Sequence, residues 1–100
     1  MPVQTAISIE HQIIEHINKS PYPASSWYVG ITENIDQRLF IDHAVPRKNS
    51  WYMYRKADNS TQARNIEKRL LNWGCDGGAG GGDQDAVFIY AYHKAPNTRR

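Results

Sequence analysis

Residues 26 to 32 read Ser-Trp-Tyr-Val-Gly-Ile-Thr, and the other predicted elements are arranged around this stretch. Its apolar residues alternate with Tyr28 and Gly30, a pattern that predicts a strand with one apolar face. A glycine weakens a strand because it has no side chain to pack. Gly30 therefore predicts that another group comes close to the backbone at this point.

Helices and further strands are predicted on both sides of this strand. Apolar residues that recur every three or four positions predict helices over 5–18, from a cap at Thr32 or Asn34 to about His43, and over 61–73. Apolar residues that alternate predict strands over 51–57 and 86–93.

The order of these elements leaves two kinds of sheet open. Helix and strand alternate along the chain, which could give parallel βαβ units. A doubly wound sheet needs more strands, however, and none of the predicted strands is a continuous aliphatic run. We therefore predict one α+β domain over residues 1–100, with a small three-stranded, mostly antiparallel sheet flanked by three helices.

Composition places the chain among ordinary globular domains. Its 100 residues are 40% hydrophobic and 22% charged, and the net charge is only +2. No run approaches the roughly 20 apolar residues of a membrane span, so we expect no membrane contact. A signal peptide is not expected either, and the single cysteine, Cys75, fits a reducing compartment. The predicted location is cytoplasmic.

The common phosphate-binding and metal-binding motifs are absent from the sequence. The glycine-rich segment 74–85 follows a helix and precedes a strand, the reverse of a dinucleotide fingerprint, and is interpreted as a flexible connection. His11 and His16 are five residues apart, not the four that place two ligands on one helix face. The histidines are interpreted as solvent-exposed surface residues.

A more specific constellation runs from the first strand to the last helix. The run Trp27-Tyr-Val-Gly-Ile-Thr-Glu-Asn-Ile-Asp-Gln-Arg-Leu39 is followed by His43, and a later helix carries Glu67 in Ala63-Arg-Asn-Ile-Glu67. Over residues 26–73 this pattern resembles the second half of the GIY-YIG nuclease signature. In that family a Tyr-Ile/Val-Gly strand precedes a helix with an essential arginine, and a later helix bears a metal-binding glutamate.

The resemblance implies a metal-dependent endonuclease that hydrolyses phosphodiester bonds. It assigns catalytic roles to Tyr28, Arg38, His43, Glu67 and Tyr90, with Glu67 holding Mg²⁺ or Mn²⁺. A single carboxylate suits Mg²⁺, which keeps several waters. The arginine would clamp phosphate oxygens through its planar fork. A tyrosine would act as the base only if its pKa were lowered well below about 10.

Two features depart from the family pattern. The Gly-Ile-Tyr half of the signature is missing before Tyr28, and His43 is one residue further from Arg38 than is common in the family. Either the first strand has been lost, or the last strand takes its place and Tyr90 stands in for the first tyrosine. The second explanation predicts that residues 87–92 pair antiparallel with residues 27–31.

Each of these residues also has an ordinary structural explanation. Tyr28 can be a half-buried sheet aromatic. Arg38 can pair with Asp42 at a spacing of four on a solvated helix face, and Glu67 can pair in the same way with a neighbouring cation, either Arg64 or Lys68.

Two other functions remain open: a non-catalytic domain that binds nucleic acid, and a protein-interaction module. Nucleic acid is the predicted partner, with Arg47, Lys48 and Arg64 as predicted substrate-binding residues. Basic groups contact phosphates and bases stack on exposed aromatics. The residues of this kind are Arg47, Lys48, Arg55, Lys56, Arg64, Lys68, Arg69, Arg99 and Arg100, interleaved with Trp51, Tyr52 and Tyr54.

Overall fold

A computed structural model describes residues 6–48, 50–77, 85–96 and 98 of the chain. Its elements follow the predicted order and confirm the α+β class. They are helix α1 Ala6–Lys19, a short 3₁₀ turn Ala24–Ser26, strand β1 Trp27–Thr32, a π-helix Asp36–Asp42, strand β2 Tyr52–Lys56, helix α2 Ser60–Trp73 and strand β3 Phe88–His93. Thr5, the first residue of the predicted first helix, and most of the glycine-rich segment lie outside the described residues.

The three strands form one sheet in the order β1-β3-β2, and both pairings are antiparallel. Tyr28 lies opposite Tyr92, and Gly30 lies opposite Tyr90. This confirms the predicted pairing of residues 87–92 with residues 27–31 and rules out the parallel βαβ arrangement. The last strand of the sequence is thereby the central strand of the sheet.

Helices α1 and α2 cover one face of the sheet. Because side chains alternate along a strand, Trp27, Val29 and Ile31 all point to this face and are buried. The helices supply an aliphatic stripe from residues three or four apart, which is Ile9, Ile13 and Ile17 from α1 and Ala63, Ile66 and Leu70 from α2. This layer is the main hydrophobic core.

The π-helix covers the opposite face, which is aromatic. Tyr90 and Tyr92 of β3 are buried there with Leu39 and Val45, and Tyr28 packs against the same cluster. The sequence predicted an ordinary helix at this place. The observed π-type hydrogen bonding differs from this prediction, because the spacing of apolar residues does not distinguish a π-helix from an α-helix.

Helix α2 has well-defined ends that fix its position on the sheet. The Asn59 side chain accepts a hydrogen bond from the Gln62 backbone N–H at 2.8 Å. Gly74 ends the helix with φ 132°, a conformation that favours glycine. Among the described helices none is both long and apolar enough to cross a membrane.

Candidate active site

The π-helix brings Arg38 and His43 to one side of the sheet. The backbone N–H of His43 donates to the carbonyl oxygen of Arg38 at 3.0 Å, an interval of five residues. An α-helix places residues four apart on one face, whereas a π-helix does so for residues five apart. The wider turn of the π-helix therefore places Arg38 and His43 on the same side of the helix, although they are one residue further apart than is common in the family.

The hydroxyl of Tyr90 lies at the centre of the candidate site. The Nε2 atom of His43 is 2.8 Å from this oxygen, and the Arg38 guanidinium also hydrogen bonds to it. The Tyr90 ring lies across Gly30, where a Cβ atom would stand only 2.6 Å from the ring atom Cζ. The prediction that another group approaches the backbone of Gly30 is confirmed.

His43 is held from its other side by Tyr92. The Tyr92 hydroxyl is 3.0 Å from Nδ1 of His43, and both side chains are buried. The interpretation of His43 as a surface residue is wrong, because its two partners lie more than 45 residues away in sequence. The sequence analysis also missed Tyr92. Its signal was the spacing of two from Tyr90, which puts both rings on one face of β3.

Donor and acceptor chemistry allows two arrangements of these hydrogen bonds, which differ in the tautomer of His43. A guanidinium can only donate, so the Tyr90 oxygen accepts from Arg38. In the arrangement that also gives the Tyr90 proton an acceptor, this proton points to Nε2 of a neutral His43. The proton of that imidazole is then on Nδ1, which donates to the Tyr92 oxygen. The same Nδ1–H donor persists if Nε2 gains a proton, so Tyr92 accommodates both forms of His43.

Tyr28 completes the aromatic side of the site. Its ring centre lies 5.0 Å from that of His43 and 5.4 Å from that of Tyr92. It is half-buried, as the ordinary structural explanation for a strand tyrosine required. Tyr28 is also close enough to Tyr90 for the two side chains to interact electrostatically.

Glu67 lies on α2, which packs on the face of the sheet opposite to Tyr90. It is only 5% exposed, and within the described structure its Oε2 atom has no hydrogen-bond partner. Burial is the main cause of the raised pKa of Tyr90, and the negative charge of Glu67 adds only a small contribution to it. Burial makes Glu67 different from the solvated ion-pair partner that the structural alternative described.

Burial dominates the electrostatics of both ionisable groups. It raises the pKa of Glu67, although the charges of Arg64 and Lys68 lower it in part. It also raises the pKa of Tyr90, and the lowering effect of Arg38 does not overcome this. A depressed pKa, which a free tyrosine base would need, is therefore not a property of the protein alone.

Arg38 is the accessible member of the site. Its side chain is 44% exposed and lies 3.5 Å from the Asp42 carboxylate, the pairing that the structural alternative anticipated. It borders an open cleft of about 270 Å³ between the end of β1 and the π-helix. A ligand in this cleft would reach Arg38 directly and, through it, the Tyr90 hydroxyl.

The predicted substrate-binding residues do not gather at this cleft. Arg47 pairs with Asp36 at 3.3 Å, and its guanidinium lies 3.9 Å from the centre of the Phe40 ring. Lys48 lines a separate cleft beside Trp51. Arg64 lies next to Glu67, whose charge it partly offsets, and Arg99 and Arg100 fall outside the described residues.

Glu67 is the one candidate metal ligand of the site. The described part of the chain contains no group of three or more His, Cys, Asp or Glu side chains placed to hold a metal ion. A buried carboxylate oxygen without a hydrogen-bond partner nevertheless suits a hard cation such as Mg²⁺, which takes few protein ligands and keeps its waters. The residue present therefore fits the predicted metal.

Comparison with models of known protein families, with curated proteins and with solved structures gave no match for this chain. The resemblance to GIY-YIG nucleases therefore rests on the quoted residues, and it stays a prediction.

Proposed function

We propose that this protein hydrolyses phosphodiester bonds in nucleic acid, as a divergent metal-dependent endonuclease of the GIY-YIG type. The observation that supports this most is the meeting of several groups at the Tyr90 hydroxyl. Arg38 and His43 hydrogen bond to it, Gly30 makes room for it, and the charge of Glu67 makes a small contribution to its raised pKa. A cytoplasmic location, where Cys75 stays reduced, suits this activity.

The Tyr90–His43 pair supplies the base in this proposal. An attacking water gives its proton to the Tyr90 oxygen as the Tyr90 proton passes to Nε2 of His43. This exchange avoids a free tyrosinate, which burial disfavours. Tyr92 accepts from Nδ1–H throughout and holds the imidazole in place.

Arg38 binds the phosphate in this proposal. Its exposed guanidinium can direct two donors at phosphate oxygens, a geometry that lysine cannot reproduce. The phosphate would take the place of the Asp42 carboxylate, which is only weakly held at 3.5 Å. Arg38 thereby links the bound phosphate to the hydroxyl of Tyr90.

Glu67 would hold the divalent cation through its unpartnered Oε2 atom. A bound cation supplies positive charge for the phosphate and the leaving oxygen. The carboxylate must be ionised for this role, and burial opposes that ionisation in the protein alone. We therefore expect metal binding to stabilise the folded protein.

The test is cleavage of supercoiled plasmid and structured RNA with Mg²⁺ or Mn²⁺. We expect Glu67→Gln and Arg38→Ala each to reduce the rate by at least about 100-fold, because each removes charge from the transition state. Glu15→Gln and Arg69→Ala are matched controls. Glu15 pairs with Lys19 on α1, and Arg69 lies near Glu10, so both should cleave as the wild type does.

Glu67→Gln also has a stability signature with a defined sign. Because burial raises the pKa of Glu67, the folded protein binds a proton that the unfolded chain has already released, and stability falls as pH rises from the ordinary glutamate pKa through the raised value. Glutamine does not ionise, so the Glu67→Gln protein does not lose stability in this way as pH rises. At pH 7 without metal, urea unfolding should find Glu67→Gln more stable than the wild type, and Mg²⁺ should stabilise only the wild type. Equal stability of the two proteins would contradict the assignment of Glu67.

A catalytically inactive domain that binds nucleic acid or a protein is the second candidate. It is favoured by the burial that raises the pKa of both Tyr90 and Glu67. A folded wild type that cleaves neither substrate, yet shifts DNA or RNA in a gel in a salt-dependent manner, would support nucleic-acid binding. Absence of both cleavage and shift would support a protein partner.

A further inference from the structure

The two outer edges of the sheet differ. Residues 75–77 run along the outer edge of β1, where the Val29 N–H donates to the Asp76 carbonyl and the Asp76 N–H donates to the Trp27 carbonyl, both at 2.8 Å. No such segment covers the outer edge of β2 within the described parts of the chain. This edge therefore offers unpaired backbone groups.

The register identifies which backbone groups face outward on β2. The N–H of Ala57 donates to Val87 at 2.7 Å, and the Trp51 carbonyl accepts from His93 at 3.0 Å. Antiparallel pairs alternate between bonded and non-bonded positions, so the odd-numbered residues of β2 point their backbone groups at β3. The N–H and carbonyl groups of Tyr52, Tyr54 and Lys56 consequently point away from the sheet.

Helix α1 forms a wall beside this edge. An open cleft of about 610 Å³ lies between the helix and β2, lined by Gln12, Glu15, His16, Lys19 and residues 52–55. Arg55 spans it, donating to the Gln12 side chain at 2.7 Å. A groove between a helix and a free strand edge accepts an extended peptide, which adds a strand to the sheet.

The charged side chains in and beside the groove indicate which kind of peptide it can bind. Lys19 pairs with Glu15 at 3.2 Å, whereas Arg55 and Lys56 have no acidic partner among the residues described. Burial lowers the pKa of His16, and the positive charges of Arg55 and Lys19 lower it further. A second copy would bring its own Arg55 and Lys56 to this edge, so like charges oppose pairing of β2 with itself.

We propose that the groove between α1 and β2 binds an extended, acidic segment of a partner protein as a fourth strand of the sheet. Backbone hydrogen bonds to Tyr52, Tyr54 and Lys56 give affinity. Carboxylates on alternate residues share one face of the added strand, and one of them pairs with Arg55, drawing its guanidinium from the Tyr54 carbonyl, to which it donates at 2.7 Å. This site shares no lining residue with the cleft at Arg38 and does not depend on nuclease activity.

The test is an NMR titration of the full chain with a capped seven-residue peptide of alternating valine and glutamate. We expect saturable shifts of the Tyr52, Tyr54 and Lys56 amides and of α1 residues on the groove. A peptide with lysine in place of glutamate should bind about tenfold more weakly, and a peptide N-methylated at alternate residues should not bind, because it lacks the strand hydrogen bonds.

Two variants separate the backbone and charge contributions. Tyr54→Pro removes one outward N–H and should weaken binding about tenfold, and proline is tolerated at a strand edge when its nitrogen faces away from the sheet. Arg55→Gln should weaken the acidic peptide only, whereas Arg69→Gln on α2 should change nothing.

Several results would overturn the proposal. They are equal binding of the glutamate and lysine peptides, shifts confined to other surfaces, or no shift at millimolar peptide. Shifts of the β2 amides that depend on protein concentration alone would assign the edge to a second copy. Displacement of the peptide by a single-stranded oligonucleotide from the same amides would assign the groove to nucleic acid instead.

Discussion

The two faces of the sheet are both buried, but different interactions hold them together. The face under α1 and α2 is packed with isoleucine, leucine, valine and alanine around Trp27. The face under the π-helix is built from Tyr28, Tyr90 and Tyr92, and the hydroxyls of Tyr90 and Tyr92 are hydrogen bonded to His43. The first face is stabilised by close packing of apolar side chains, and the second by hydrogen bonds that require a defined geometry.

Because of this difference, we expect the two faces to tolerate substitution differently. Apolar packing tolerates exchange of one aliphatic residue for another of similar volume, since it has no directional bonds to lose. A buried hydrogen-bonded network tolerates little, because loss of one member leaves another polar group unpaired. Such networks are also where protons can move, which is why we place the proposed chemistry on the aromatic face.

The largest expected effect is truncation on the aliphatic face. Leu70 is fully buried, so Leu70→Ala should lower the free energy of unfolding by about 3 kcal/mol, from lost transfer energy and the cavity left behind. Urea unfolding measures this, with exposed Asn72→Ala in the same helical turn as control. Under folding conditions the His43 NMR signals should stay unchanged. Movement of those signals would contradict the independence of the two faces.

A smaller effect is expected at Gly30 on the aromatic face. A Cβ in Gly30→Ala would overlap the Tyr90 ring, which is 2% exposed and has little room to move. We expect a loss of about 1–3 kcal/mol and displacement of the Tyr90 hydroxyl from His43.

The matched control is Gly30→Ala in a Tyr90→Ala background, where the added methyl group meets no ring and should cost much less. The free energies of unfolding of the four proteins form a double-mutant cycle. An equal cost in both backgrounds would contradict the close approach of Tyr90 to Gly30.

The smallest expected effect on stability is on the aromatic face itself. Tyr92→Phe removes the hydroxyl that lies 3.0 Å from Nδ1 of His43, and loss of this hydrogen bond should cost about 1 kcal/mol. The ¹⁵N signals of His43 should shift toward a mixture of tautomers, a change that a purely space-filling Tyr92 would not cause. Tyr52→Phe is the control, because its hydroxyl donates to the Arg47 carbonyl at an exposed position.

Local pattern in the sequence was sufficient to predict the elements of the fold. Period-two alternation located β1, β2 and β3, and periods of three to four located α1 and α2. The antiparallel pairing of the first and last strands was predicted by one of the two explanations left open for the missing half of the signature, and the structure bears that explanation out. The interval between Arg38 and His43 was read at the α-helical period, so the π-helix and the burial of His43 were not predicted.

The sequence predicted the α+β class and, through the GIY-YIG resemblance, the candidate residues Tyr28, Arg38, His43, Glu67 and Tyr90, while the pairing of the first and last strands was one of two explanations left open. The packing of the elements established that Arg38 and His43 come to the Tyr90 hydroxyl, that Tyr92 contacts His43 and that Glu67 is buried. Each of those contacts joins residues from separate elements. Burial, and the pKa shifts that follow from it, depend on which residues pack around a group. The local sequence pattern does not show which distant residues those are.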